Sequence, residues 1–376
     1  MYQPYGYLQH QDALAVAARH DKPEIMKILI EAKAELERSD MHVDYTWRER
    51  DHASPLATAI ASGRIDAMEL LLEAKARISV PRTGYIHDLI RCAIEACEEH
   101  DDDDVLGLLL DANASLLVDR WGRNALRRAC EMNRPSIVEM LLDLNISPNY
   151  VYEKKNPYTL LIKAVSQNRI DVGRTLIDAK ANIDHRPQHG PTALMIAVRE
   201  KYIELIQLLV ENNASLELTD HADRTALDYA IQASYSDPTA IPVVKILAKA
   251  NASLERRNFH GNTPLVDAVV RGHVNMTRTL VDAKADVDAS SLSGYPTLMF
   301  AAGRGVRDIV ETLLSADPAS FDAQDQFGMT ALMYAARSDA SRHDAHIVRM
   351  LLEHAKTHCA AENNNEPPQK RFKKTE

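Results

Sequence analysis

The feature that most constrains this chain is a repeat. An opening apolar residue recurs at Leu14, Leu56, Ile90, Leu126, Leu161, Leu194, Leu227, Leu265, Leu298 and Leu332, at intervals of 42, 34, 36, 35, 33, 33, 38, 33 and 34 residues. Three positions after each stands an alanine: Ala17, Ala59, Ala93, Ala129, Ala164, Ala197, Ala230, Ala268, Ala301 and Ala335. A second marker follows at Leu29, Leu71, Leu109, Leu141, Leu176, Leu209, Leu247, Leu280, Leu313 and Leu351; seven of the ten pairs are 15 apart, and the others are 19, 20 and 19. Each unit thus holds two short apolar stripes. Such a unit cannot bury its apolar face alone, so it stacks on its neighbours. The expectation is an all-α solenoid in which three units carry insertions between their helices.

Asn258 to Ala289 shows the unit most fully. It has a glycine turn at His260-Gly261, a helix start at Thr263-Pro264-Leu265, a second turn at Arg271-Gly272-His273, and a second stripe ending at Leu280-Val281. A period near 33 with this T-P-L opening resembles the ankyrin repeat. The resemblance covers roughly Leu8 to Lys356. It implies an ankyrin-repeat solenoid of about ten helix-turn-helix units with short β-hairpin fingers. The units lie near 8–38, 39–81, 82–118, 119–150, 151–186, 187–219, 220–257, 258–290, 291–323 and 324–361. Residues 1–7 read as a disordered lead, and 362–376 as a disordered basic tail.

Two departures from the family pattern recur. The slot that usually holds glycine after the second helix is Lys33, Lys75, Asn113, Asn145, Lys180, Asn213, Asn251, Lys284 and Asp317. Glycine suits that slot because the chain turns there through the left-handed region. Asparagine tolerates it, and lysine does so at a cost of roughly 1 kcal/mol. The histidine that often follows the opening leucine is also missing.

Aromatics make up only 5% of the chain, so alanine and leucine do the packing, which suits thin helical layers. The formal net charge is −10, and the last eight residues carry +3, leaving about −13 for the rest. A body this acidic argues against nucleic-acid binding, which depends on clustered Lys and Arg. Cys92, Cys97, Cys130 and Cys359 form no disulfide or CxxC pattern, and reduced thiols are expected. No leader-like segment and no apolar run long enough to span a membrane is visible.

Motif searching finds no phosphate loop, dinucleotide fingerprint, nucleophile elbow, zinc-protease helix or kinase set, so neither enzyme chemistry nor a cofactor is expected. His354, His358 and Cys359 are the best metal-ligand candidates, but a zinc site needs three or four ligands, and a solvated terminal helix is the simpler reading. Glu98 to Asp104 lacks the spacing and glycine of a calcium loop.

Binding features remain. The ankyrin resemblance implies a concave surface made of fingertips and first-helix ends. Carried over by register, the fingertip position holds Tyr85, Trp121, Asn156, His189, Ala222, His260, Ser293 and Phe327. The large residues there either anchor a partner or stack on a neighbouring finger. The first helices end in Arg199, Arg271, Arg304 and Arg337, against Glu95 and Glu131 in the N-terminal half. Those arginines either select an acidic peptide or serve solubility, Glu200 standing beside Arg199. Tyr45 and Trp47, in the insertion 39–52, either bind or fold back over the first repeat. Lys370, Arg371, Lys373 and Lys374 resemble a basic nuclear-import signal or form a solubilising tail.

The expected function is a non-catalytic protein-interaction scaffold, monomeric, cytoplasmic with access to the nucleus, whose partner is a protein or peptide, acidic if the arginine lane is used. Two alternatives stand beside it: a substrate adaptor for a ubiquitin ligase or another machine, and an effector acting on host proteins.

Overall fold

The computed structural model describes residues 13–34, 36, 54–76, 93–94, 96–97, 104–113, 120–151, 158–258, 260–316, 318–337 and 344–365. Tyr45, Trp47, Tyr85, Asn156 and the basic residues Lys370, Arg371, Lys373 and Lys374 lie outside them. The chain divides into two compact units, Met1–His185 and Arg186–Glu376.

In the first unit the helices are α1 (Ala13–Arg19), α2 (Pro23–Glu31), α3 (Pro55–Ala61), α4 (Ile65–Glu73), α5 (Asp104–Asn113), α6 (Arg120–Glu131), α7 (Pro135–Asp143), α8 (Leu160–Ser166) and α9 (Ile170–Asp178). In the second they are α10 (Ala193–Glu200), α11 (Ile203–Glu211), α12 (Ala226–Ser236), α13 (Ile241–Lys249), α14 (Pro264–Arg271), α15 (Val274–Asp282), α16 (Thr297–Arg304), α17 (Arg307–Ser315), α18 (Ala331–Arg337) and α19 (Asp344–Asn365). Within each unit they pair as hairpins, first helix packing on first helix and second on second, as α14 on α16, α16 on α18 and α15 on α17.

The periodic residues form the core. All ten marker alanines are buried, as are nine of the ten second-helix markers from Leu71 to Leu351. Small side chains at this position let neighbouring first helices approach closely, so the repeat is specified by what it excludes as much as by what it packs.

First helices start where a hydroxyl can cap them. Ser54, Thr159, Thr192, Thr225 and Thr263 each accept a hydrogen bond from the backbone N–H three residues on, at 3.2–3.4 Å. This satisfies one of the donors that a helix start leaves open. The N–H groups of Thr192 and Thr225 donate back to Met195 Sδ and Asp228 Oδ2, the reciprocal bond of a capping box. The missing histidine therefore leaves the helix starts intact.

Most of the described helices end in the same way. After the first helix, the marker alanine's carbonyl accepts the N–H five residues on, as in Lys22 to Ala17, Arg64 to Ala59, Arg134 to Ala129, Arg169 to Ala164, Tyr202 to Ala197 and His273 to Ala268. The residue just before each donor is left-handed: Asp21, Gly63, Asn133, Asn168, Lys201 and Gly272. After the second helix, the marker leucine's carbonyl accepts from a following alanine, as in Ala76 to Leu71, Ala181 to Leu176, Ala214 to Leu209, Ala252 to Leu247 and Ala285 to Leu280. The departures noted above fall on these turns: Lys33, Lys75, Asn145, Lys180, Asn213, Asn251 and Lys284 have φ of 58°, 62°, 61°, 64°, 63°, 66° and 70°. The glycine slot is thus built without glycine, and the conformation persists because two hydrogen bonds hold it.

The fingers differ from β-hairpins. Among the described residues a single β-type bridge occurs, Ser290 with Pro296. The finger tips are tight turns in which the N–H of Asp220, Asn258 and Asp325 donates to the carbonyl four residues on, and their own carbonyl accepts from the residue three on. The physical reason is that the side chains of Asp220, Asn258 and Asp325 accept the N–H groups two and four residues on. Those donors have no need of a ladder partner.

At the C-terminal end, α19 runs to Asn365, past the boundary expected at 361. The first helix-breaking residue beyond it is Pro367.

Lys284→Gly relieves a side chain from the left-handed region and stabilises the protein by about 1 kcal/mol. Thermal unfolding should show a higher Tm than wild type. An unchanged or lowered Tm would mean that the lysine stem contributes more than its backbone strain costs.

Candidate functional site

The residues singled out from the sequence separate into those engaged within the fold and those left facing solvent. Trp121 lies in the first turn of α6, which runs back to Arg120 instead of starting at Asn124, the position of the capping hydroxyl in other repeats. It is therefore a helical position and not a fingertip loop. His189 ends a single turn of 3-10 helix, Pro187–His189. His260 is exposed at a finger tip, where its N–H donates to Asn258 Oδ1 at 2.9 Å. Phe327 is 73% exposed.

The arginine lane divides in two. Arg199 Nε lies 2.9 Å from Glu200 Oε1. Arg271 Nε lies 2.8 Å from Asp267 Oδ2, and its guanidinium covers the Tyr235 ring at 5.0 Å. Arg304 and Arg337 are exposed and have no carboxylate partner among the described residues. Glu131, on the N-terminal unit, is held by Arg127 at 2.6 Å.

Arg304 borders an open groove of about 470 Å³, lined also by Val270, Tyr295, Met299, Phe300, Gly303 and Tyr334. The groove runs over the first helices α14, α16 and α18. Its aromatic wall is a set of edge-on contacts, Tyr295 to Phe300 at 5.8 Å and Tyr295 to Tyr334 at 6.5 Å between ring centres. Two glycines shape it. The Tyr334 ring rests on Gly303, where a Cβ would come within 3.4 Å of it; a Cβ on Gly272, at φ +77°, would lie 3.0 Å from Arg304 Nε. Tyr334 is anchored by donating to Asp325 Oδ2 at 2.6 Å, a bond that raises its phenol to about 12. Met333 and Leu292 add exposed apolar surface, at 47% and 78%.

Sequence reasoning found Arg304 and Phe327 but not Phe300, Tyr295, Tyr334 or Leu292. Phe300 and Tyr334 stand two residues after their opening leucines. That position carries Tyr229 and Asp267 in two other repeats, where both make hydrogen bonds within the fold, so register alone does not mark it as a groove position.

The other polar clusters are structural. Tyr229 donates to Asp220 Oδ2 at 2.8 Å, and Arg224 reaches the same oxygen at 2.8 Å. Burial alone would raise the Asp220 carboxyl. The hydrogen bonds from Arg224, Tyr229 and Ala222 outweigh it and hold the carboxyl well below the usual range. The insertion in repeat seven lengthens α12 so that Tyr235 reaches repeat eight. There its hydroxyl donates to Asp267 Oδ2 at 2.8 Å and its ring stacks on His273 at 4.3 Å. Burial and then Asp267 push that phenol up. Asp237, in the same insertion, pairs with Lys201 of repeat six.

No group of three His, Cys, Asp or Glu side chains converges on a metal-sized site among the described residues. The His354 ring packs edge-on against Phe321 at 5.4 Å, and the side chains of His358 and Cys359 lie outside the description. Cys130 is buried in α6, which pushes its thiol up to about 12. No helix among the described residues is long and apolar enough to cross a membrane.

Comparison with known proteins agrees with this architecture. The family model described as ankyrin repeats (3 copies) matches residues 93–187, 161–254 and 298–368, and that for ankyrin repeats (many copies) matches 265–314. The B-cell lymphoma 3 protein homolog of Mus musculus is 30% identical over 179 residues, which are 46% of this chain and 39% of that protein. The putative ankyrin repeat protein FPV014 of fowlpox virus is 28% identical over 165 residues, 43% of this chain and 36% of that protein. The matches thus span about two fifths of these relatives' own length. The crystal structure of the Bcl-3 ankyrin repeat domain, a unique member of the IkappaB protein family, superposes with a TM-score of 0.50 and 25% identity, covering 60% of this chain and 97% of that domain.

Two outcomes follow from the buried groups. Asp220→Asn should cost about 1–3 kcal/mol at pH 7 in urea unfolding. Because the folded carboxyl lies below its unfolded value near 3.9, the wild-type advantage is complete above about pH 4 and is lost as pH falls from there through the folded value. A mutant deficit that stayed constant from pH 7 to pH 3 would contradict this. Cys130 should resist iodoacetamide in the native protein at pH 8 and react fully in denaturant. Mass spectrometry of the alkylated peptide reads both states.

Proposed function

Because this chain belongs to the ankyrin repeat family, whose members generally mediate protein–protein interaction, we propose that it is a non-catalytic scaffold that binds a partner protein through its first-helix and fingertip face. One observation carries the reading. In the C-terminal unit, exposed Phe327 and Leu292, the aromatic groove and two arginines with no carboxylate partner among the described residues occur on the first helices and fingers. Single exposed apolar residues are ordinary, but a cluster rimmed by charge marks an interaction surface. Anchors of this kind carry most of the energy in protein interfaces.

The likeness to the Bcl-3 ankyrin domain supports the same use of the array. The partner is this chain's own question, since repeat arrays share a fold whatever they bind. In this reading the protein acts as a monomer in the cytoplasm, with Lys370, Arg371, Lys373 and Lys374 giving access to the nucleus.

Affinity purification with mass spectrometry tests it, comparing the intact protein with a Trp121→Ala, Phe327→Ala, Arg304→Glu variant shown by circular dichroism to be folded. The variant should lose one or a few partners at least tenfold. A partner list unchanged by the three substitutions would place the binding surface elsewhere.

A further inference from the structure

Resting on that reading, we propose that the groove between α14, α16 and α18 takes one large apolar side chain of a linear peptide that also bears carboxylates, and that Arg304 and Arg337 pair with those carboxylates. The apolar half of the argument is the lining. Val270, Tyr295, Met299, Phe300 and Tyr334 make a pocket of about 470 Å³, ample for a single aromatic or branched side chain. Its shape is fixed from behind: Tyr334 is held by Asp325 and lies on Gly303.

The charged half is the contrast within one lane. Arg199 and Arg271 are neutralised by Glu200 and Asp267, at 2.9 and 2.8 Å. Arg304, on the rim of the groove, and Arg337, at the end of the next first helix, are not neutralised by any described residue, although acids outnumber bases over the chain, 54 to 44. In a protein so rich in carboxylates, two adjacent first helices ending in unpaired guanidinium groups leave a local site for acid. Arginine matches carboxylate geometry with paired N–H donors.

Neighbouring helices pack about 8–10 Å apart, and an extended chain advances about 3.3 Å per residue. The two carboxylates therefore stand about two to four residues apart, beside the apolar anchor. Other occupants fit worse. The basic tail at Lys370–Lys374 has the wrong sign for this rim.

Display of random 12-residue peptides on the full-length protein tests the assignment. Enriched peptides should hold a large apolar residue next to two acids at that spacing. Their synthetic, fluorescein-labelled forms should lose at least tenfold in affinity for Arg304→Glu/Arg337→Glu, and for Phe300→Ala, while Arg199→Glu binds as wild type. Peptides without acidic bias, no enrichment, or affinity indifferent to charge reversal would overturn the assignment. So would sedimentation as a dimer that charge reversal splits, or peptide binding that appears only when residues 366–376 are removed. If cellular partners are still lost from the triple variant in any of these cases, the interaction surface stands and only its acidic ligand falls.

Discussion

The structure depends on the backbone turn that ends each helix. A helix of seven to nine residues has few internal hydrogen bonds, and its last carbonyls would be unsatisfied without a local partner. Here the carbonyl of the marker residue itself closes the turn. Ala268 packs its methyl against a neighbouring first helix and accepts from His273; Leu280 fills the core and accepts from Ala285. Burial and chain reversal are therefore specified by the same residue. That is why the marker positions are so regular while the residues between them vary.

Neighbouring repeats are tied by a second, polar device. Asn149 accepts from the N–H of Asn182, Glu217 from Ser253, Glu255 from Asp286, and Asp288 from Ala319 and Ser320. Each bond joins one finger base to the next. Glu217, Glu255 and Asp288, which look like solvating charge in the sequence, thus accept backbone donors of the next repeat. This bears on the groove, since carboxylates committed to the finger bases are not free to neutralise Arg304 or Arg337.

The fold was almost wholly legible from residue spacing, because stacked repeats force the same residue into the same environment. The ten alanines are the case in point. The conformation at Lys284 was also readable, since the turn demands a left-handed residue whatever its side chain. The fingers were less so: Asp220 and Asp325 take the donors that strands would share, and the aligned repeats do not reveal that competition. Arg304, at the groove, and Phe327 could be picked out by register, while Phe300 and Tyr334 were not singled out by it. Their exposure depends on the glycine at 303 and on where Tyr295 sits, which is information about neighbours and not about the repeat.

The insertion in repeat seven has a consequence for how the array comes apart. Stacked repeats behave approximately as a one-dimensional chain of units, each coupled only to its neighbours. Tyr235 and Asp237 add couplings in both directions, to Asp267 and His273 on one side and to Lys201 on the other. Repeats six to eight therefore open as a single block, and fraying that starts at the C-terminal end stalls when it reaches them. The groove spans the outer edge of that block, with Val270 on repeat eight and the rest of its lining on repeats nine and ten, so its inner wall belongs to the part of the array that opens last.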